Sequence, residues 1–315
     1  MRYDDFRRSD DIEDRRDDSG GGMGGGGGLG LPIGGGGGLG IGTIIVLGLV
    51  GYAFGIDPRI LIGGAEILTG GGNGQAPTYQ TDRRSGTVKK GAPTDEMGSM
   101  ISGILGEIDD RWSEIFKADG LSYTGPRIVL FRNQTNGGRC GMAQSAMGPF
   151  YCPPDRQIFL DTGFFHEVET RFHGCQGSAC KFTAAYIIAH EAGHHVQNLL
   201  GILPKVTAAQ QAAGSNKAAA NALQVKVELQ ADCLSGIWAN REEQKRPGFI
   251  EAGDIEGALA TASAIGDDTL QRQATGRVVP DSFTHGSAEQ RKRWFMTGYT
   301  KGTLKACDTF TAPSL

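Results

Sequence analysis

The sequence predicts an α+β domain, mostly helical in its second half, carried behind a disordered glycine-rich amino terminus and one transmembrane helix. Three observations predict this. Glycine fills 16 of the 23 positions from Gly20 to Gly42, which leaves too few side chains to bury a core. Residues 39–56 form an 18-residue run without charge, long enough to cross a hydrocarbon layer. Beyond that run, apolar residues recur at intervals of three and four over several stretches, the period of helices with one buried face.

Taken in order, residues 1–38 read as a disordered cytoplasmic tail. Their first 18 positions hold eight acidic residues beside Arg2, Arg7, Arg8, Arg15 and Arg16, with few apolar groups to fold around. Residues 39–56 read as the membrane helix. Five arginines lie upstream of it, and Arg59 is the only basic residue in the next 25 positions, so the expected orientation keeps the amino terminus inside. The remainder is then exported across the cytoplasmic (inner) membrane. Residues 57–95, rich in Gly, Thr, Pro and charge, read as a flexible stalk, and residues 96–315 as the folded domain. Lys+Arg 31 against Asp+Glu 35 leaves a net charge of −4, which argues against a nucleic-acid partner. All six cysteines follow the uncharged run, where an exported domain would meet an oxidising compartment. Sequence proximity favours pairing Cys140 with Cys152, Cys175 with Cys180, and Cys233 with Cys307; spacing alone does not settle the pairing.

Within the domain, Met100, Ile101, Ile104, Leu105, Ile108, Trp112, Ile115 and Phe116 predict an amphipathic helix over 97–117. Strands are expected at 127–131 and 157–160, and helices at 182–200, 218–240 and 287–299. Trp112, Trp238 and Trp294 fall at apolar helical positions and are expected in the core. Residues 207–220 are small and polar, a mobile loop or weak helix.

The helix over 182–200 carries His190, Glu191 and His194, an H-E-x-x-H. Histidines four apart project from one helical face about a turn apart, so both imidazoles can reach one zinc ion, Zn2+. Glu191 stands between them as general base for a water that zinc activates. A catalytic zinc needs a third protein ligand. The next helix offers Glu228 and Asp232, an E-x-x-x-D that sets two carboxylates on one face; among Val225, Val227, Leu229 and Leu234 such groups would be buried and costly unless paired. Glu228 is the expected third ligand. Asp232, a turn on, is placed to accept the other N–H of a zinc-bound imidazole. His166, His173 and His195 read as packing residues.

H-E-x-x-H followed by E-x-x-x-D resembles the gluzincin metallopeptidases. From about residue 97 to residue 310, with AHEAGHH, VELQADCLSG and HGSAEQRKRWF, the chain is similar to the "putative neutral zinc metallopeptidase" family of bacterial membrane-anchored proteins. That resemblance implies a zincin-like domain. It also implies that His285 donates to the developing oxyanion and that Arg291 fixes Asp232; alternatively, His285 merely caps the helix that follows it. The function expected is a membrane-anchored zinc peptidase acting on a peptide or protein substrate, by direct attack of water. Alternatives are a non-catalytic zinc-containing scaffold, or an amidase-type hydrolase of peptidoglycan peptides. Oligomeric state is not legible.

Overall fold

The computed structural model describes residues 1, 3, 5–17, 89–170, 175, 179–264 and 266–315. Its sheet is built from distant pieces. Strand β1 (Ile12–Asp14) lies between β2 (Lys89–Lys90), antiparallel, and β3 (Arg127–Phe131), parallel. After helix α1 (Glu96–Ala118) and β3 comes a small separate hairpin, β4 (Gln134–Asn136) with β5 (Met142–Gln144). Strand β6 (Phe150–Cys152) then forms the antiparallel edge beside β7 (Gln157–Asp161), giving the order β2-β1-β3-β7-β6. Residues alternate across this sheet as its pleat requires. Ile128, Leu130, Ile158 and Leu160 face the helical core, while Val129, Phe131, Cys152 and Phe159 enclose Ala143 on the opposite side.

Seven helices follow among the described residues: α2 (Phe164–Thr170), α3 (Ala179–Leu199), α4 (Ile202–Ala212), α5 (Lys217–Lys245), α6 (Asp254–Ala264), α7 (Asp267–Thr275) and α8 (Ala288–Lys301). Helix α3 is buried almost throughout, from Phe182 to Gln197 with only His194 partly open. It packs on α5, and Gly193 permits the approach: a Cβ there would stand 3.0 Å from the Ala231 carbonyl oxygen of α5. Trp112, Trp238 and Trp294 are all buried, as their positions predict. Disulfides join Cys140 to Cys152, Cys175 to Cys180, and Cys233 to Cys307. The last fastens the carboxy-terminal turn to α5.

The α+β, mostly helical architecture agrees with expectation; the amino terminus does not. The charged tail is part of the domain. Ile12 is 1% exposed and Phe6 5%, and both lie in the main core. Ser9 exchanges hydrogen bonds with Ser102 of α1: its N–H donates to the Ser102 carbonyl at 3.1 Å, and its carbonyl accepts the Ser102 hydroxyl at 2.8 Å. Gly106 makes room, since a Cβ there would collide with the Arg7 carbonyl oxygen. Arg16 clasps Asp95, the N-cap of α1, at 2.6 and 2.9 Å. Arg7, Arg15 and Arg16 are neutralised locally by Asp110, Glu13, Asp14 and Asp95, and Arg8 donates to the Tyr3 carbonyl, which is why a charged sequence can pack here.

This overturns the single-pass anchor and the inner-membrane location that follows from it. One crossing by residues 39–56 would separate residues 1–38 from the domain, whereas β1 is hydrogen-bonded inside the sheet between β2 and β3. No described helix is long and apolar enough to cross a membrane. The glycine run and the 39–56 run lie outside the described residues, as does all but the end of the expected stalk. That end pairs with β1 as β2. Residues 207–220, expected as a mobile loop or weak helix, are helical outside residues 213–216: they complete α4 and begin α5, with Asn216 capping α5 through the Ala219 N–H.

Candidate active site

Helix α3 supplies His190 and His194 one turn apart, and α5 supplies Glu228 and Asp232 with the same spacing. Where the helices cross, ligand-capable atoms of His190, His194 and Glu228 lie within 4.8 Å of one another, the one such grouping of His, Cys, Asp and Glu among the described residues. His190 Nε2 is 3.2 Å and His194 Nε2 3.4 Å from Glu228 Oε2.

The far side of each imidazole is fixed by a different acceptor. His190 Nδ1 lies 2.9 Å from Asp232 Oδ1. His194 Nδ1 lies 2.9 Å from Gln197 Oε1. Gln197 must present oxygen there, because its amide nitrogen donates to the Val227 carbonyl at 2.8 Å and to Gln230 Oε1 at 3.0 Å. Gln230 in turn donates to the Cys307 carbonyl at 2.9 Å. Both Nδ1 atoms therefore carry a proton, and both Nε2 atoms face Glu228 Oε2. The other carboxylate oxygen, Oε1, accepts from Gln224 at 2.8 Å. The two Nε2 atoms and Glu228 Oε2 converge, and the carboxylate draws positive charge there, carried by protons on the imidazoles or by a metal ion. Two imidazoles and one carboxylate are the donor set of a catalytic zinc site with an open position.

Asp232 is 0% exposed and sits in a closed network. It accepts from Tyr186 at 2.6 Å and from Arg291 Nε and an Nη at 2.9 and 3.0 Å. Burial opposes its charge, but the Arg291 guanidinium and His190 outweigh burial and hold the carboxyl below the usual carboxylate range. The same field acts on the histidines: burial disfavours a charged His190, yet Asp232 and Glu228 push its pKa up to about 10. The pocket demands positive charge.

Glu191 is 7% exposed; burial pushes its pKa up, against the pull of His194 and His190. It lines a cleft of about 540 Å³ together with His190, His194, Glu228, His285 and Arg291. His285 is half exposed on the cleft wall, its Nδ1 3.4 Å from Asp267 Oδ1. The turn carrying it is held by the other oxygen of Asp267, which accepts the N–H groups of Thr284, His285 and Gly286 at 2.6, 2.6 and 3.1 Å. Ser287, rather than His285, caps α8, through a capping box with Gln290. His195 is fully buried. It donates through Nε2 to the Thr124 carbonyl at 2.6 Å and accepts the Tyr151 hydroxyl at Nδ1 at 2.9 Å, tying α3 to edge strand β6. His166 is exposed on α2, and His173 lies outside the described residues.

A family model described as "Putative neutral zinc metallopeptidase" matches residues 1–310. The chain belongs to that family. The match includes the first residues, in keeping with β1 being part of the folded domain. An uncharacterized Escherichia coli protein, YpfJ, is 44% identical over 310 residues, covering 98% of this chain and 99% of that protein. An uncharacterized Mycobacterium bovis protein is 46% identical over 202 residues, 61% of this chain and 65% of that one. No solved structure matches the chain.

Sequence reasoning missed Gln197, Gln230 and Gln224. Two of them had a signal. Gln197 follows His194 by three positions and Gln224 precedes Glu228 by four, spacings at which helical side chains meet. Gln230 had none, since its partners come from another helix and from the carboxy-terminal turn.

Proposed function

We propose that this chain is a zinc-dependent endopeptidase, with His190, His194 and Glu228 holding the metal and Glu191 as general base. The observation that carries the reading is the convergence of three lone-pair donors beside a buried carboxylate that is not one of them, in an open cleft. A purely structural zinc site fills its four positions with protein ligands and has no use for such a base. When bound, zinc supplies a Lewis acid that polarises the scissile carbonyl and lowers the pKa of water toward neutrality.

The chain's own residues do the rest. Glu191, in the first turn after His190, takes the proton of the attacking water and passes it to the leaving amine; the pKa raised by burial suits it to hold that proton between the two steps. His285, on the wall of the same cleft, donates to the oxyanion that develops on the substrate. Asp232 and Gln197 keep the two imidazoles from rotating, and Arg291 keeps Asp232 ionised and in place. The cleft's fixed charges favour cleavage within a chain rather than at its ends. Arg291 is neutralised by Asp232, and Asp267 is occupied by His285 and three backbone N–H groups, so neither is free to bind a terminal carboxylate or ammonium.

Glu191→Gln tests the reading. Full-length protein should retain about one zinc per chain by elemental analysis and lose hydrolysis of end-blocked fluorogenic peptides, whereas Glu228→Ala should lose the metal. Wild-type turnover by Glu191→Gln would overturn the mechanism.

A further inference from the structure

A line of hydrogen bonds runs from His194 to the carboxy-terminal turn. His194 Nδ1 meets Gln197 Oε1 at 2.9 Å, the Gln197 amide nitrogen donates to Gln230 Oε1 at 3.0 Å, and the Gln230 amide nitrogen donates to the Cys307 carbonyl at 2.9 Å. Both glutamines are buried, so each bond forms out of water, where a misdirected amide is costly. The direction of the line is set at its far end. A backbone carbonyl only accepts, so Gln230 turns its nitrogen to Cys307 and its oxygen to Gln197; Gln197 then turns its nitrogen to Gln230 and its oxygen to His194. His194 is left to donate through Nδ1, with Nε2 facing Glu228.

The Cys307 carbonyl is itself held in place. Cys307 ends the short helical turn Leu304–Cys307 and is joined by a disulfide to Cys233 of α5, three positions after Gln230 on that helix. The same carbonyl accepts the Thr309 N–H at 3.0 Å. The Thr309 hydroxyl donates to the Lys226 carbonyl at 2.7 Å, and Lys226 Nζ donates to the Phe310 carbonyl at 3.3 Å. Gln230 therefore sits between Lys226 and Cys233, the two points at which the turn is fastened to α5. Cys233 and Cys307 are both buried, which shields the closed bond from a dissolved reductant and makes the clamp a fixed part of the folded protein.

We propose that Gln230 and the Cys307 carbonyl are positioning groups for His194, so that the disulfide-clamped carboxy-terminal turn sets the affinity of the metal site. This rests on the zinc reading above and adds to it a determinant that touches neither metal ligand nor cleft. The Val227 carbonyl also holds Gln197, so loss of the clamp loosens His194 without releasing it. His190 has its own support in Asp232 and is untouched by the change.

Zinc affinity of the full-length protein, measured by chelator competition, tests this. Gln230→Met keeps the disulfide and cuts the line; Cys233→Ala with Cys307→Ala removes the clamp; Cys140→Ala with Cys152→Ala removes a disulfide that does not meet the line. The first two should each lower zinc affinity by about 3- to 10-fold, less than the loss of a partner bonded to the histidine itself, and the third should leave it unchanged. Repeating them in a Gln197→Ala background separates positioning from general loosening: with Gln197 gone, neither Gln230→Met nor loss of the clamp should lower affinity further, the non-additivity expected of groups that act in one line. Wild-type affinity in Gln230→Met, or the same fold-loss with and without Gln197, would overturn the proposal. Should the Cys233 and Cys307 variant fail to fold, the Gln230→Met pair decides alone. The His194 Nδ1–H proton is followed in parallel by NMR of metal-free protein labelled at histidine, where Gln230→Met should speed its exchange with water. A protein that binds no zinc yet shows that faster exchange would keep the positioning role and lose the metal reading; unchanged exchange in such a protein would remove both.

Discussion

Gln197 Oε1 lies 2.9 Å from His194 Nδ1, so a side-chain amide orients one histidine of the cluster while a carboxylate, Asp232, orients the other. The two supports differ in strength. A carboxylate raises the basicity of its histidine and stabilises positive charge nearby; a neutral amide fixes direction with little electrostatic help. The Asp232 side is further locked by Arg291 and Tyr186, whereas Gln197 depends on Gln230 and the Val227 carbonyl.

Removing the amide should therefore weaken the metal site without unfolding the protein. Gln197→Ala is expected to lower zinc affinity by about 10- to 100-fold, measured by competition with a chromogenic chelator. Gln197→Glu keeps an acceptor beside Nδ1 but turns its second oxygen toward the Val227 carbonyl and Gln230 Oε1, so it should restore only part of that affinity. Unchanged affinity in Gln197→Ala would show that His194 is held by packing alone.

Breaking the other support should cost stability as well as metal. Asp232→Ala leaves the Arg291 guanidinium, 3% exposed, without its counter-charge. The expected loss is about 3–5 kcal/mol in denaturant unfolding, typical of an orphaned buried ion. Arg291→Met, which leaves Asp232 with His190 and Tyr186, should cost less. The reverse order would mean that Asp232 draws its main support from elsewhere.

The amino-terminal segment should behave as part of the core. Gly106→Val drives a side chain into the Arg7 carbonyl and should destabilise the domain by about 1–3 kcal/mol, the range for overpacking. Deleting residues 1–17 should lower the melting temperature further, because it strips β2 and β3 of the strand between them. A deletion variant as stable as the full chain would contradict the observed sheet order.

A buried carboxylate away from the cleft predicts a pH signature. Glu242 is 0% exposed; burial, then the neighbouring charge of Glu107, push its pKa up to about 7 against the opposing pull of Arg111 and Arg246. A carboxyl whose folded pKa lies above its unfolded value binds its proton more tightly in the folded state. Its contribution is fully present below about pH 4 and is lost as pH rises through 7. Glu242→Gln should remove that decline, gaining up to about 3 kcal/mol on wild type between pH 4 and 8, followed by unfolding midpoints across that range. Parallel profiles for the two proteins would refute it.

The sequence by itself determined what is local. His190, Glu191 and His194 share one helix, so their mutual placement follows from the 3.6-residue turn, and the same holds for Glu228 and Asp232. The long amphipathic helices and the two core strands repeat their apolar residues often enough to be read, and their observed ends differ from expectation by a few residues. Only the tertiary structure decided the rest. Strand β1 is three residues long inside a run of charge, too short for a period; the residues before it, Phe6 to Ser9, lie against α1 where Gly103 and Gly106 make room, and acidic neighbours pair Arg7, Arg15 and Arg16 on either side of it. The approach of α3 to α5 at Gly193, the turn that brings His285 to the cleft and the bond from Gln230 to the Cys307 carbonyl join residues far apart in the chain. Contacts of that kind depend on how whole elements pack, and no spacing within one segment encodes them.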